Sequence, residues 1–205
     1  MSDTLVVLRA CGERTEARAA QLLSEQFGSV MVLRLQPLAA AVVAGFKAAE
    51  SFKWLLTCDA DVLIDDMCAE RVAEMKRSLP SDHWQALGMV SDKLAGRERK
   101  GGLRLYRASM LADKIEHVDM SSIRPEGDLC AMFPSWKQFD LMLGRHDFEQ
   151  FYIDLYRKGS QHRKKHPSWW RRADEWRTSS DRDLRAAWLG WAGGPMPKWP
   201  EKGAL

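Results

Sequence analysis

The chain has 205 residues, 45% of them hydrophobic and 29% charged, with a formal net charge of +3. That is enough apolar material for one domain, or one domain with a sizeable appendage, and it excludes disordered, collagen-like and repeat architectures. The four cysteines, Cys11, Cys58, Cys68 and Cys130, form no C-x-x-C pair, which excludes a disulfide framework and a zinc signature and suits a reducing cytoplasm.

Thr4–Leu8 reads as a buried first strand, entered without the form of a secretory signal, and the polar loop Arg9–Thr15 follows. Ala19, Leu22, Leu23 and Phe27 recur at helical spacing from Glu16 to Phe27, and Gly28 is placed to stop that helix. Val30–Leu35 is a second strand. Pro37 opens an alanine-rich helix, Leu38–Glu50. Its apolar run, Leu38 to Phe46, is far too short to cross a bilayer, so a soluble chain is expected. A third strand then runs from Lys53 into Asp59-Ala60-Asp61. This β-α-β-α-β order predicts an α/β fold, a mostly parallel doubly wound sheet with helices on both faces. The dinucleotide and P-loop fingerprints are missing, so a phosphate site must be built another way.

Asp59 and Asp61 offer one such way. Successive strand side chains alternate faces, so a strand continued through Asp61 points both carboxylates the same way. Two bare charges there are costly to hold together, and Mn²⁺ or Mg²⁺ removes that cost while leaving positions for a substrate's phosphates. The same triplet also fits a plain strand end followed by a solvated turn.

Farther on, Asp65 and Asp66 read as helix caps before Met67–Leu79, which Pro80 closes. His83–Val90 is another strand, Asp92–Lys100 a charged loop, and Gly101-Gly102 a sharp turn into the strand Leu103–Arg107. Ser109 is a candidate cap for Met110–Ile115. In Ile123-Arg124-Pro125-Glu126-Gly127-Asp128, Pro125 suits a first helical turn, where Glu126 and Asp128 are favoured by the dipole. Phe148, Phe151, Tyr152 and Leu155 form a helical stripe, with Asp147 and Gln150 at capping-box spacing. His146 has no such structural duty.

The end of the chain differs in composition. The last 55 residues hold twelve Lys and Arg against six Asp and Glu, which leaves the first 150 with a net charge of −3. Six of the nine tryptophans, Trp169, Trp170, Trp176, Trp188, Trp191 and Trp199, lie there too. Packing back into a core is the first reading of these rings. Contact with an anionic membrane surface is the second, and nucleic acid is a distant third. Two regions are therefore expected, an α/β catalytic domain over 1–158 and a basic, Trp-rich helical extension over 159–205.

The alternation ending in Trp54-Leu55-Leu56-Thr57-Cys58-Asp59-Ala60-Asp61-Val62 resembles glycosyltransferases of the A-type fold, particularly bacterial family 2-like enzymes. The resemblance covers roughly residues 4 to 157. It implies a metal-dependent transfer of sugar from a nucleotide-diphospho-sugar to a hydroxyl acceptor, in cell-surface polysaccharide synthesis. Asp59 and Asp61 would approach the metal (Mn²⁺ or Mg²⁺) and the ribose or diphosphate, and His146 would complete the coordination. Arg9, Glu13 and Arg14 fall where the nucleotide is gripped, and Lys100–Arg107, with Gly102 and Arg104, where donor and acceptor sugars lie. The acidic helix start at Glu126 and Asp128 would supply the catalytic base, although Gly127 separates two acids that are usually adjacent. One base without a protein nucleophile would invert the anomeric centre. The acceptor would be a carbohydrate or lipid-linked precursor. The location would be cytoplasmic, with the C-terminal segment as a peripheral contact at the inner face of the membrane.

Two alternatives remain open at this point. Asp59-Ala60-Asp61-Val62-Leu63 also resembles the first motif of haloacid-dehalogenase-type phosphatases, with Asp59 as nucleophile and Ser91 in the second motif. A non-catalytic binding module acting through the basic end is the other.

Overall fold

The computed structural model describes residues 3–193 apart from 123 and 166, so Trp199 and the rest of 194–205 lie outside the described residues. Two compact units are present. The first comprises Met1–Lys93 and Arg97–Phe148, and the second Leu94–Gly96 and Glu149–Leu205.

The first unit is a seven-stranded sheet with helices on both faces. In chain order its elements are β1 (Thr4–Arg9), α1 (Glu16–Phe27), β2 (Val30–Leu33), α2 (Leu38–Ala48), β3 (Trp54–Asp59), β4 (Val62–Ile64) and α3 (Cys68–Ser78). There follow β5 (Gln85–Asp92), β6 (Arg97–Arg107), α4 (Ala112–Ile115), α5 (Pro125–Met132) and β7 (Trp136–His146). The strand order is β2-β1-β3-β6-β5-β7-β4. Pairing gives β1, β2, β3, β5 and β7 one direction and β6 and β4 the other. The fold is α/β, as the alternation predicts.

Strand alternation explains the two cores. Val6 and Leu8 of β1 with Leu56 and Cys58 of β3 pack with Ala19 and Leu23 of α1 and Val72 and Met75 of α3. The alternate residues Val7 and Leu55 join Val42 and Phe46 of α2, Trp84, Tyr106 and Leu129 of α5 on the opposite side. Each fully buried leucine here contributes about 1.5–3 kcal/mol. The predicted stop at Gly28 is also present: its φ is +86° and its N–H donates to the Ser24 carbonyl at 2.9 Å.

Several local expectations are corrected. The charged stretch 92–100 is a hairpin in which Asp92 pairs with Arg97, and β6 already begins at Arg97. Cross-strand bonds there outweigh a composition that reads as loop. Strand β7, which is not among the strands expected from sequence, is paired by β5 on one side and β4 on the other. Ser109 lies inside a 3-10 turn, Ala108–Met110, and caps no α-helix. The helix expected near Asp147 starts only at Tyr152, because Asp147 (φ 65°) and Glu149 (φ 59°) occupy left-handed backbone.

The second unit contains α6 (Tyr152–Lys165), a 3-10 turn (Pro167–Trp169), α7 (Trp170–Thr178) and α8 (Arg182–Ala192). Its core is Leu94, Leu155, Ala173, Trp176, Ala186 and Ala187. Trp176 is fully buried, donates from Nε1 to the Leu94 carbonyl at 3.0 Å, and has the Trp169 and Trp191 rings 6.4 and 6.0 Å away. These tryptophans pack, whereas Trp170 remains 61% exposed. No helix among the described residues is long and apolar enough to cross a membrane.

Helices α6 and α8 touch backbone to backbone. A Cβ on Gly159 would lie 1.8 Å from the Ala187 carbonyl oxygen, and one on Gly190 would lie 1.8 Å from that of Tyr156. Alanine normally improves a helix interior by about 1 kcal/mol over glycine. Here the clash wins: Gly159→Ala and Gly190→Ala should each destabilise by about 1–3 kcal/mol or more. Thermal melts followed by circular dichroism check the sign, and a raised midpoint would contradict this contact.

Candidate active site

The site is built at one edge of the sheet. Arg9, Asp59, Asp92 and His146 each close a strand of the common direction, β1, β3, β5 and β7. They therefore stand together at the carboxyl edge, where α/β sheets bind ligands. Asp61 precedes β4, which runs the other way and so starts at the same edge.

Sheet register brings the first cluster together. Arg9 lies opposite Asp59 in the β1–β3 pair, and its Nη2 is 2.7 Å from Asp59 Oδ1. Its Nη1 lies 2.8 Å from Glu126 Oε2, Arg104 Nε reaches the same oxygen at 3.2 Å, and the Tyr106 hydroxyl donates to Oε1. Glu126 is thus a buried carboxylate shared by two guanidiniums and a phenol. Burial raises its pKa, but Arg104 and Arg9 with the hydrogen bond from Tyr106 outweigh that and hold it below the ordinary value. Burial also raises Asp59, Arg9 pulls it back, and the charges of Asp61 and Glu126 leave it above the ordinary carboxylate value. Burial opposes the charge of Arg9, yet Asp59 and Glu126 raise its pKa further.

The second cluster surrounds His146. Its Nε2 is 3.5 Å from Asp61 Oδ1, and its Nδ1 is 3.1 Å from both Asp92 Oδ2 and Asp147 Oδ2. Register again explains the meeting, because Asp92 and His146 are partners in the β5–β7 pair and Asp147 N–H donates to the Asp61 carbonyl at 3.1 Å. Burial disfavours a charged imidazole, but Asp147 and Asp61 lift its pKa to about 10. Among the described residues Asp61, His146 and Asp147 offer ligand atoms within 4.8 Å of one another. Two carboxylates and an imidazole suit a hard or borderline divalent cation such as Mg²⁺ or Mn²⁺, so the donor set fits the expected metal.

The remaining expected residues are distributed as follows. Strand β3 ends at Asp59 and residues 60–61 form a turn, so alternation does not carry through and the two acids meet different partners. Asp59 goes to Arg9, Asp61 to His146. Asp128 is exposed and accepts from Ser122 Oγ. Glu13 accepts from the Cys11 N–H at 2.6 Å and so braces its own loop, while Arg14 is exposed. Gly102 (φ +81°) has Val62 Cγ2 only 2.9 Å from where a Cβ would sit, so it lets β6 pass close to the start of β4. Asp92, Asp147 and Tyr106 were not legible as site residues. For Asp147 the one available signal was its adjacency to His146.

No protein-family model matches the chain. No curated protein matches it in sequence. Solved structures match in shape. A glycosyltransferase involved in the glycosylation of the major capsid of PBCV-1 aligns with a TM-score of 0.52 at 10% identity, over 74% of this chain and 95% of that one. The bifunctional IspDF from Campylobacter jejuni aligns with a TM-score of 0.50 at 10% identity, over 68% of this chain and 50% of that one. A cytidylyltransferase from Leptospira borgpetersenii aligns with a TM-score of 0.48 at 10% identity, over 82% and 96%. The fold is Rossmann-like, of the kind seen in that capsid glycosyltransferase. At such identities the likeness concerns the fold, and the chemistry rests on the two clusters.

Proposed function

We propose that this chain is a metal-dependent glycosyltransferase that moves a sugar from a nucleotide-diphospho-sugar to a hydroxyl acceptor. The observation that carries the proposal is the Asp61–His146–Asp147 donor set at the carboxyl edge of a Rossmann-like sheet. A divalent cation held by these three residues would supply positive charge to the diphosphate that leaves the sugar. Arg9, oriented by Asp59 and Glu126, belongs to the nucleotide side of the site.

The two acids of α5 then divide the work. Glu126 Oε1 accepts from Tyr106, Oε2 is shared by two guanidiniums, and its pKa is held low, which suits an anchor for Arg9 and Arg104 and makes a poor base. Asp128, exposed in the first turn of the same helix, is the residue proposed to take the acceptor's proton. With one base and no protein nucleophile, attack inverts the anomeric centre. The phosphatase alternative needs Asp59 as a free nucleophile, and its pairing with Arg9 at 2.7 Å favours the transferase instead. The acceptor class we propose is a carbohydrate or lipid-linked hydroxyl.

The test is a thermal-shift series of nucleoside diphosphates with and without Mn²⁺, followed by transfer assays with the matching nucleotide-sugars. One nucleotide should stabilise the chain only with metal, by about 2.7 kcal/mol at a hundredfold excess over its Kd. Hydrolysis of an aryl phosphate that Asp59→Asn abolishes, or pyrophosphate release from a nucleoside triphosphate, would move the chain to another class.

A further inference from the structure

We propose that Arg99 is an internal counter-ion that the divalent cation must displace from the acidic cluster around His146, an inference that rests on the metal-dependent function above. Three carboxylates, from Asp61, Asp92 and Asp147, converge on this single imidazole. Arg99 reaches the same cluster from β6. Its Nε donates to the Asp92 carboxylate, and its Nη2 lies 3.1 Å from both ring nitrogens of His146. The guanidinium therefore lies against a ring whose nitrogen belongs to the donor set.

A guanidinium held by Asp92 against the His146 ring and a doubly charged ion drawn to Asp61, His146 and Asp147 repel each other, and the repulsion is weakly screened near buried groups. One of the two must leave. The Asp92 side chain is 5% exposed and fixed in the β5–β7 register, whereas that of Arg99 is 36% exposed at the end of a long stem. The next residues also leave room for it: Gly101 has φ +113°, and a Cβ there would sit 3.2 Å from Arg99 Nη1. Arg99 is thus the partner built to move. Metal loading releases a positive side chain from the strand that also carries Gly102 and Arg104.

Two measurements on the full chain test this without using turnover. The first is Mn²⁺ affinity, read from the free-ion electron paramagnetic resonance signal, for wild type and Arg99→Met, which keeps an apolar stem and removes the charge. The variant should bind about tenfold tighter or more, the inverse of what loss of an ordinary structural residue would do. The second is the Arg99 Nε–H resonance in the ¹⁵N-labelled wild-type chain, assigned by its absence in Arg99→Met. Saturating Mg²⁺ should abolish its protection. Equal or weaker Mn²⁺ binding by the variant, or a protected Arg99 signal in the Mg²⁺-saturated chain, overturns the displacement while leaving the metal site standing. If neither chain binds Mn²⁺, both the displacement and the metal-dependent function fall.

Discussion

Glu126→Ala is expected to destabilise the first unit by about 3–5 kcal/mol, because it removes the carboxylate shared by the buried Arg9 and the half-buried Arg104. Arg9 loses one of its two acidic partners, Arg104 loses its contact at 3.2 Å, and the buried Tyr106 hydroxyl loses its acceptor. For a chain of this size the midpoint of thermal unfolding should fall by roughly 10 °C. Glu126→Gln keeps the volume and one acceptor but removes the charge, so its loss should be intermediate. Urea unfolding followed by tryptophan fluorescence measures both. A base that merely takes a proton would behave otherwise: both variants would fold like wild type and lose only turnover. That result would return Glu126 to the catalytic role. The sign with pH follows from its depressed folded pKa. Its contribution is present above the unfolded value of about 4.3 and is lost as pH falls through the lower folded value.

Asp61→Ala is expected to reduce sugar transfer on the order of 10²–10³-fold, the range seen when one preorganised group that stabilises developing charge is removed. It should also abolish the stabilisation that Mn²⁺ confers, because the three-residue donor set loses a carboxylate. His146→Ala should do the same. Asp59→Ala separates the two clusters: its carboxylate pairs with Arg9 at 2.7 Å, so nucleotide affinity should weaken while Mn²⁺ binding persists. Calorimetric titration of Mn²⁺, then of a nucleoside diphosphate, distinguishes the two outcomes. Loss of Mn²⁺ uptake in Asp59→Ala with full retention in Asp61→Ala would reverse the assignment of the acids.

The second unit calls for a different kind of explanation. Its basic, tryptophan-rich composition allows packing first and membrane contact second, and Trp176 is a core residue around which Trp169 and Trp191 pack. Rings that look amphipathic in sequence are recruited inward when three short helices have little other apolar bulk to bury. Trp170, with the Arg171 guanidinium 5.1 Å from its ring centre, keeps the exposed mixture that membrane contact would require.

Sequence alone determined the alternation of the first unit and most of its boundaries. The helix Glu16–Phe27, its stop at Gly28 and the strand ending at Asp59 all follow from periodicity and turn chemistry within a few residues. It also offered Asp61, His146 and the acidic start of α5 as candidates for the site. Only the tertiary structure decided what those acids meet. Strand β7 exists because β5 and β4 pair with it, and that pairing brings Asp92, Asp147 and Asp61 to His146. Likewise Glu126 faces Arg9 and Arg104 only once β1, β3 and β6 lie side by side. Helix periods and caps are local properties of the chain, whereas an ion pair between strands depends on sheet order and register, which no short stretch of sequence contains.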